Sequence, residues 1–385
     1  MKRTAMPGIY PMPGNYSVAY MSFYLGCATP GARIHYTTDG TEPTIESPVF
    51  DAHKTGPVYM LGFTEQPEGG EKHVTVRAMA ESDGAEPSRT AVFDYTFYTT
   101  APGNFTYELL REGSEELPAL YRICDYCRSN MFLVVGSERA MLIDGGLDSG
   151  TDIKPFIDDL TGGLPVDLFV THGHLDHNAA TWSFLGHGCK VYLSSLDKPT
   201  YLAGGGKACP EGTTDIYDGE SFELGNTRLT AYFLPGHTPG GYVIIDEKTG
   251  DLFASDELVN NDPYGPNSLL LGLTDDEESS LEAYCERIEH IWQMIKGKAK
   301  RIWTGHNTFS HDADMYMTNL IAAIRNVLEN GEDALVPDIR PSAEMNAMVG
   351  YRDYKTDICS FAVSVKYLYR KDAREGKKVK YFNFE

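Results

Sequence analysis

Three histidines and an aspartate crowd into the stretch THGHLDH, at His172, His174, Asp176 and His177, in a chain with only 11 histidines in 385 residues. Imidazole with some carboxylate and no thiolate is the ligand chemistry of zinc, and also of iron, manganese or nickel. On a tight loop His172 and His174 can point to one side and share an ion, while Asp176 and His177 face a neighbouring one. Gly173 is expected to let the backbone turn between the first two without a Cβ clash. Three further loops carry ligand-type residues: LPGHTPGG with His237, FASDE with Asp256 and WTGHN with His306. Each follows an apolar run that reads as a strand, so a rigid sheet would deliver them all to loops.

The elements that must position these loops can be read from periodicity. MFLVVGSE and AMLIDGG are apolar runs joined as a β-hairpin, and DIKPFIDDLTGG reads as a helix closed by glycines. PVDLFVTHGH is a buried strand running into the histidine loop, with KVYLSS following after an intervening helix. RLTAYFLPGHTPG and GYVIIDEKTGDLFASDE form a further β-pair. SSLEAYCERIEHIWQMIKGK and ADMYMTNLIAAIRNVLENG are amphipathic helices with KRIWTGHN between them, and SFAVSVKYLYR with KKVKYFNF reads as a last hairpin. Strands alternating with helices imply an α/β architecture of sheets covered by helices. Residues 7–98 differ: short alternating segments separated by Pro, Gly and Asp turns describe a small all-β sandwich. Asp39-Gly40 there signals a tight hairpin with φ > 0 at both central positions. Thr99 to Phe105 reads as a linker.

The HGHLDH signature, followed in order by GHTPG, SDE and GHN and preceded by IDGG (Ile143 to Gly146), resembles the metallo-β-lactamase-fold metallohydrolases over about residues 105–330. The resemblance implies an αββα sandwich with a dinuclear site at one edge. His172, His174 and His237 would hold one metal, Asp176, His177 and His306 the other, and Asp256 would bridge them. Asp144 would support a ligand loop without binding metal. The N-terminal part, through IHYTTDGTEPT, PMPGNYSV and VTVRAMA, resembles the chitobiase/β-hexosaminidase C-terminal-type domain, an immunoglobulin-like accessory sandwich. The expected division is a sandwich at residues 1–99, a catalytic domain at 100–335, and a C-terminal extension at 336–385 with a β-hairpin packed on the catalytic domain.

Metal chemistry sets the expected reaction. A water bridging two divalent ions, zinc first with iron or manganese as alternatives, loses its proton near neutral pH and attacks an ester, thioester or lactone carbonyl of a small molecule. Asp176 is the candidate to orient that hydroxide and accept its proton. The glyoxalase II and lactonase branches carry the same seven ligands. The alternatives are a persulfide-dioxygenase-like oxidoreductase with one iron on His172, His237 and Asp256, and a phosphodiesterase of the same fold.

The net charge of −22 sits in the middle of the chain, where residues 101–350 carry 17 basic against 39 acidic side chains. Such a field attracts cations and repels polyanions, which argues against nucleic acid as a partner. No run is long enough to span a membrane. The N-terminus lacks the apolar region of a signal peptide, and seven scattered cysteines form no disulfide framework, so the reading is cytoplasmic. Cys124 and Cys127 form a lone CxxC. A glycan or protein contact through the sandwich, and a homo-oligomer, stay open. Outside the ligand set, His187 is expected at a helix end, His290 on a helix, and His35, His53 and His73 at the sandwich surface. His311 is a candidate neighbour of the site. Asn260, Asn261 and Tyr264, in the loop from Val259 to Gly272, are candidates for substrate contact. Cys209 and the triple glycine Gly204 to Gly206 carry no assigned chemistry.

Overall fold

The computed structural model describes residues 3–10, 13–16, 20–50, 60–62, 70–99, 105–125, 129–147, 151–178, 180–199, 209–258, 268–273, 279–306, 310–337, 351–355 and 359–370. Cys127, His53, Gly204 to Gly206, Asn260, Asn261, Tyr264, Asn307 and the segment KKVKYFNF lie outside these residues. The chain divides into two compact units, one built on Met1–Pro102 and the other on Gly103–Pro337 with Val349–Glu385.

The first unit is a small β-sandwich. Its five-stranded sheet runs in the order Gly14–Tyr16, Ala91–Thr99, Gly70–Glu81, Arg33–Thr37 and Val49–Phe50. Gly8–Tyr10 pairs with Tyr24–Gly26, and Tyr20–Ser22 with Met60–Gly62. Val76, Ala78 and Ala80 turn inward at period two, and Phe23 meets Tyr36 edge-on at 5.8 Å to close the core.

Two expectations fail in this unit. Gly40 takes a positive φ of 76° but Asp39 does not, and the next strand to pair with Arg33–Thr37 along the chain is Val49–Phe50, after a loop far longer than a tight hairpin. The Asp39 carboxylate instead accepts from the Thr41 N–H at 3.0 Å, an Asx turn inside a longer loop. His35 is buried, not at the surface, because its ring bridges Ser47 O (3.0 Å) and Glu81 Oε1 (3.2 Å). His73 is exposed.

The second unit is an αββα sandwich. Its first sheet runs Thr106–Arg111, Ala119–Cys124, Asn130–Val135, Ala140–Ile143, Val166–Phe169 and Val191–Tyr192, the last three parallel. The second runs Ser221–Glu223, Arg228–Phe233, Tyr242–Asp246, Asp251–Ser255, Arg301–Thr304 and His311–Asp312. Alternation along the strands builds the layers. Phe132, Val134, Met141 and Ile143 pack between the sheets with Ala231, Ile244, Phe253 and Trp303. The residues between them face outward. Met131, Leu133 and Leu142 meet Ile157 of the helix Lys154–Thr161, while Val243, Leu252 and Ile302 meet the helices Leu281–Ile295 and Ala313–Asn330. Those two helices start where Ser280 and Asp312 accept from the Ala283 and Met315 N–H groups, and their buried residues recur at three- and four-residue spacing.

The tail pairs differently from expectation. Ser360–Ser364 lies antiparallel to Tyr351–Lys355, ahead of it in sequence, and parallel to Ser268–Leu270. Phe361 and Val363 thereby join the core around the two long helices. Among the described residues no helix is long and apolar enough to cross a membrane.

Candidate metal centre

The parallel strands bring their C-terminal ends to one edge. Ala140–Ile143 leads to Asp144, Val166–Phe169 to the THGHLDH loop, Asp251–Ser255 to Asp256, and Arg301–Thr304 to His306. His237 arrives on the loop after Arg228–Phe233. All seven residues singled out in the sequence gather here. The ligand atoms of His172, His174 and His237 lie within 4.8 Å of one another, as do those of Asp176, His177 and His306, and those of His172, His177 and Asp256. Asp256 stands between the first two groups. Its Oδ2 is 3.3 Å from His306 Nε2, 3.6 Å from His177 Nε2 and 3.8 Å from His237 Nε2.

Several of these atoms are stranded. His172 Nε2, His177 Nε2 and Asp256 Oδ1 are buried with no hydrogen-bond partner among the described residues. Each such atom costs about 1–3 kcal/mol if left unsatisfied. A cation among them removes that cost, so the donor set fits a metal of the zinc, iron or manganese type. The remaining ring nitrogens are engaged as such ligands need. His177 Nδ1 faces Asp144 Oδ2 at 3.2 Å, and His172 Nδ1 faces Thr171 Oγ1 at 3.0 Å.

Electrostatics follow from the crowding. Burial, then the neighbouring imidazoles, hold His172 well below the usual histidine range. Burial works to lower His306, but the Asp256 and Asp176 carboxylates outweigh it and push it up to about 10. Against the opposing effect of burial, His306 and His177 hold Asp256 well below the usual carboxylate range.

Asp144 accepts from the Thr171 N–H (2.8 Å), the Thr171 hydroxyl (2.8 Å) and the Ser255 hydroxyl (2.6 Å). It braces the loop without entering any of the ligand groups. Asp144 (φ 63°) and Ser255 (φ 46°) are the non-glycine residues with positive φ among those described. Backbone strain of this kind persists where the surroundings over-determine it. Gly173 does not share the positive φ, and its N–H donates to Asp197 Oδ2 at 2.7 Å. Gly305 is where glycine matters, since a Cβ there would lie 2.3 Å from Asp256 Oδ1 and 2.7 Å from His177 Cε1.

Other supports were not singled out in the sequence. Buried Asp197 accepts from the Gly173, Gly240 (2.6 Å) and Thr238 (2.7 Å) donors and so ties the loop of His172 and His174 to that of His237. Glu257 accepts from the His237 N–H at 3.2 Å, and burial, then the charge of Asp197, push its carboxyl well above the usual range. Glu257 was in view within FASDE, next to a ligand; Asp197 lies in SSLDK, which carries no motif. His311 pairs through its backbone with Ile302 and sets its ring against Tyr316, outside the ligand groups. His187 lies exposed just past the helix Thr181–Phe184, and His290 is exposed on its helix.

Residues 124–294 match the Metallo-beta-lactamase superfamily. The chain carries a metallo-beta-lactamase superfamily domain. Residues 23–95, within the first unit, match the Fn3 associated family. The chain is similar to an uncharacterized protein of Aquifex aeolicus, 27% identical over 124 residues (29% of this chain). That match spans 58% of the relative, less than two thirds of its length. It is also similar to the acyl-coenzyme A thioesterase MBLAC2 of Bos taurus, 26% identical over 47% of this chain and 74% of the relative. Among solved structures, a metallo-beta-lactamase from Pontibacter korlensis aligns with 57% of this chain and all of its own, at 22% identity and a TM-score of 0.44.

Proposed function

We propose that the protein is a metal-dependent hydrolase of small acyl compounds, with thioesters ahead of esters and lactones. The observation that carries the reading is the pair of adjoining ligand triads around Asp256. His172, His174 and His237 would hold one divalent ion and Asp176, His177 and His306 a second, with Asp256 touching both; zinc is the first choice, iron and manganese the alternatives. Ions so held supply positive charge that lowers the pKa of water and stabilises a developing oxyanion.

The chain's own residues do the rest. Asp144 keeps a proton on His177 Nδ1, and Thr171 keeps one on His172 Nδ1, so both Nε2 atoms face the centre as acceptors. The Asp176 side chain is more exposed than those of His177 and His306, which supports it as the group to accept a proton. A thiolate leaves without a separate acid, and similarity to an acyl-coenzyme A thioesterase supports the thioester class. The acidic middle of the chain disfavours a polyanionic thiol carrier. Seven scattered cysteines with no disulfide framework in the sequence suit a reducing cytoplasm.

The test is a panel on metal-reconstituted full-length protein: acyl-coenzyme A and uncharged N-acetylcysteamine thioesters, phenyl esters, lactones and a phosphodiester. The expected result is the highest kcat/KM on a thioester. Turnover confined to the phosphodiester, or oxygen uptake with a persulfide in an iron-loaded sample, would sink the reading.

A further inference from the structure

We infer that Ser129 and Asn130 are positioning residues that set how tightly the Asp176–His177–His306 triad holds its ion; this rests on the two-ion reading above. Both are buried, at 1 % and 2 % exposure, at the start of the first-sheet strand Asn130–Val135. The Ser129 hydroxyl donates to Asp176 Oδ2 at 3.4 Å. That same oxygen faces His177 Nε2 and His306 Nε2, each at 3.4 Å. The adjacent residue reaches the other sheet. The Asn130 N–H donates to Gly305 O at 2.6 Å, and Asn130 Nδ2 donates to Thr304 O at 3.0 Å, fixing the backbone just ahead of His306. One dipeptide thus ties an aspartate on the first sheet's loop to a histidine on the second sheet.

The dipeptide is itself fixed. Asp125 Oδ1 accepts the Ser129 N–H at 2.9 Å, and Asp125 Oδ2 accepts the Leu147 N–H at 2.7 Å. The first triad has its own braces in Asp197, Glu257 and Thr171. Loss of a partner that orients a ligand lowers metal affinity by about 10- to 100-fold. Removing the Ser129 hydroxyl should therefore weaken one ion and spare the other.

The experiment is competition of zinc-loaded full-length protein against a chromophoric chelator, with cobalt-substituted spectra as a second readout. His306→Ala identifies which release step belongs to the second triad. Wild type is expected to release two ions in separate steps. Ser129→Ala should shift the second-triad step by roughly tenfold or more and leave the other unchanged. Ser129→Thr, which keeps the hydroxyl, should restore it. Asp125→Ala, which removes the acceptor of the Ser129 N–H from outside the ligand set, should shift the same step in the same direction. Wild-type affinities at both steps in Ser129→Ala overturn the inference, and so does equal weakening of both, which marks a merely structural role. A wild-type protein that binds a single ion defeats the two-ion reading and the inference with it.

Discussion

Asp251 opens the buried strand Asp251–Ser255 and Asp256 directly follows its end; the two are 0 % and 3 % exposed. Asp251 is saturated with donors. Its Oδ1 accepts from Arg301 Nε (2.8 Å) and Trp303 Nε1 (3.0 Å), and its Oδ2 from Arg111 Nη1 (2.5 Å) and Thr249 Oγ1 (2.7 Å). Asp256 leaves Oδ1 without a hydrogen-bond partner among the described residues and turns Oδ2 toward three imidazoles. Equal burial therefore serves opposite ends. A buried carboxylate with every lone pair engaged is part of the fold. One that is stranded among imidazoles is completed only by something from outside.

The contrast should break hardest at Asp256. Asp256→Ala is expected to lose both ions in elemental analysis and drop thioester turnover to background, while the chelated protein still unfolds cooperatively. Full activity in that variant would remove Asp256 from the centre. Asp251→Ala should do the reverse, keeping the ion count but losing about 3–5 kcal/mol in urea unfolding, because Arg111 and Arg301 are left without their buried partner. A pH series sharpens this. Burial alone would raise the Asp251 carboxyl, but Arg301 and Arg111 bring it from 3.8 down to about 2. A depressed pKa gives stability that is present above the unfolded value and lost as pH falls through the folded one. The wild-type advantage from this ionisation, about 2 kcal/mol, should thus fade between about pH 4 and pH 2. A wild-type advantage that stays flat across that window would rule out Asp251 as the titrating brace. The smallest effect belongs to His311→Ala, near the site in sequence but set against Tyr316. Its ion content should match wild type, and loss of one ion would make His311 a ligand.

Much of the fold was legible because its signals are local. MFLVV and AMLI are continuous apolar runs, the mark of strands buried on both faces. The helix over Leu281–Ile295 announces itself by spacing and by its Ser280 cap. The misread points depended on distant neighbours. His35 looked like a surface residue until Glu81 closed over it, and Asp39 spent its side chain on Thr41 rather than on a tight hairpin. The strand Ser360–Ser364 could have paired with either flank, and its letters do not say which.

The candidate centre divides the same way. His172, His174, Asp176 and His177 sit in one loop, so their spacing alone places imidazole and carboxylate together; His237, Asp256 and His306 are each marked by a glycine-rich or acidic strand end. That much the sequence determined by itself. Ser129, Asn130, Asp125 and Asp197 are single residues with no pattern around them. Only the tertiary structure makes them supports, since Asn130 reaches Thr304 across 174 positions and Asp197 reaches Gly240 across 43. A ligand's element type is written in its neighbours along the chain, whereas a brace is defined by the backbone it meets in space, and only the packed sheets bring that backbone within hydrogen-bond range.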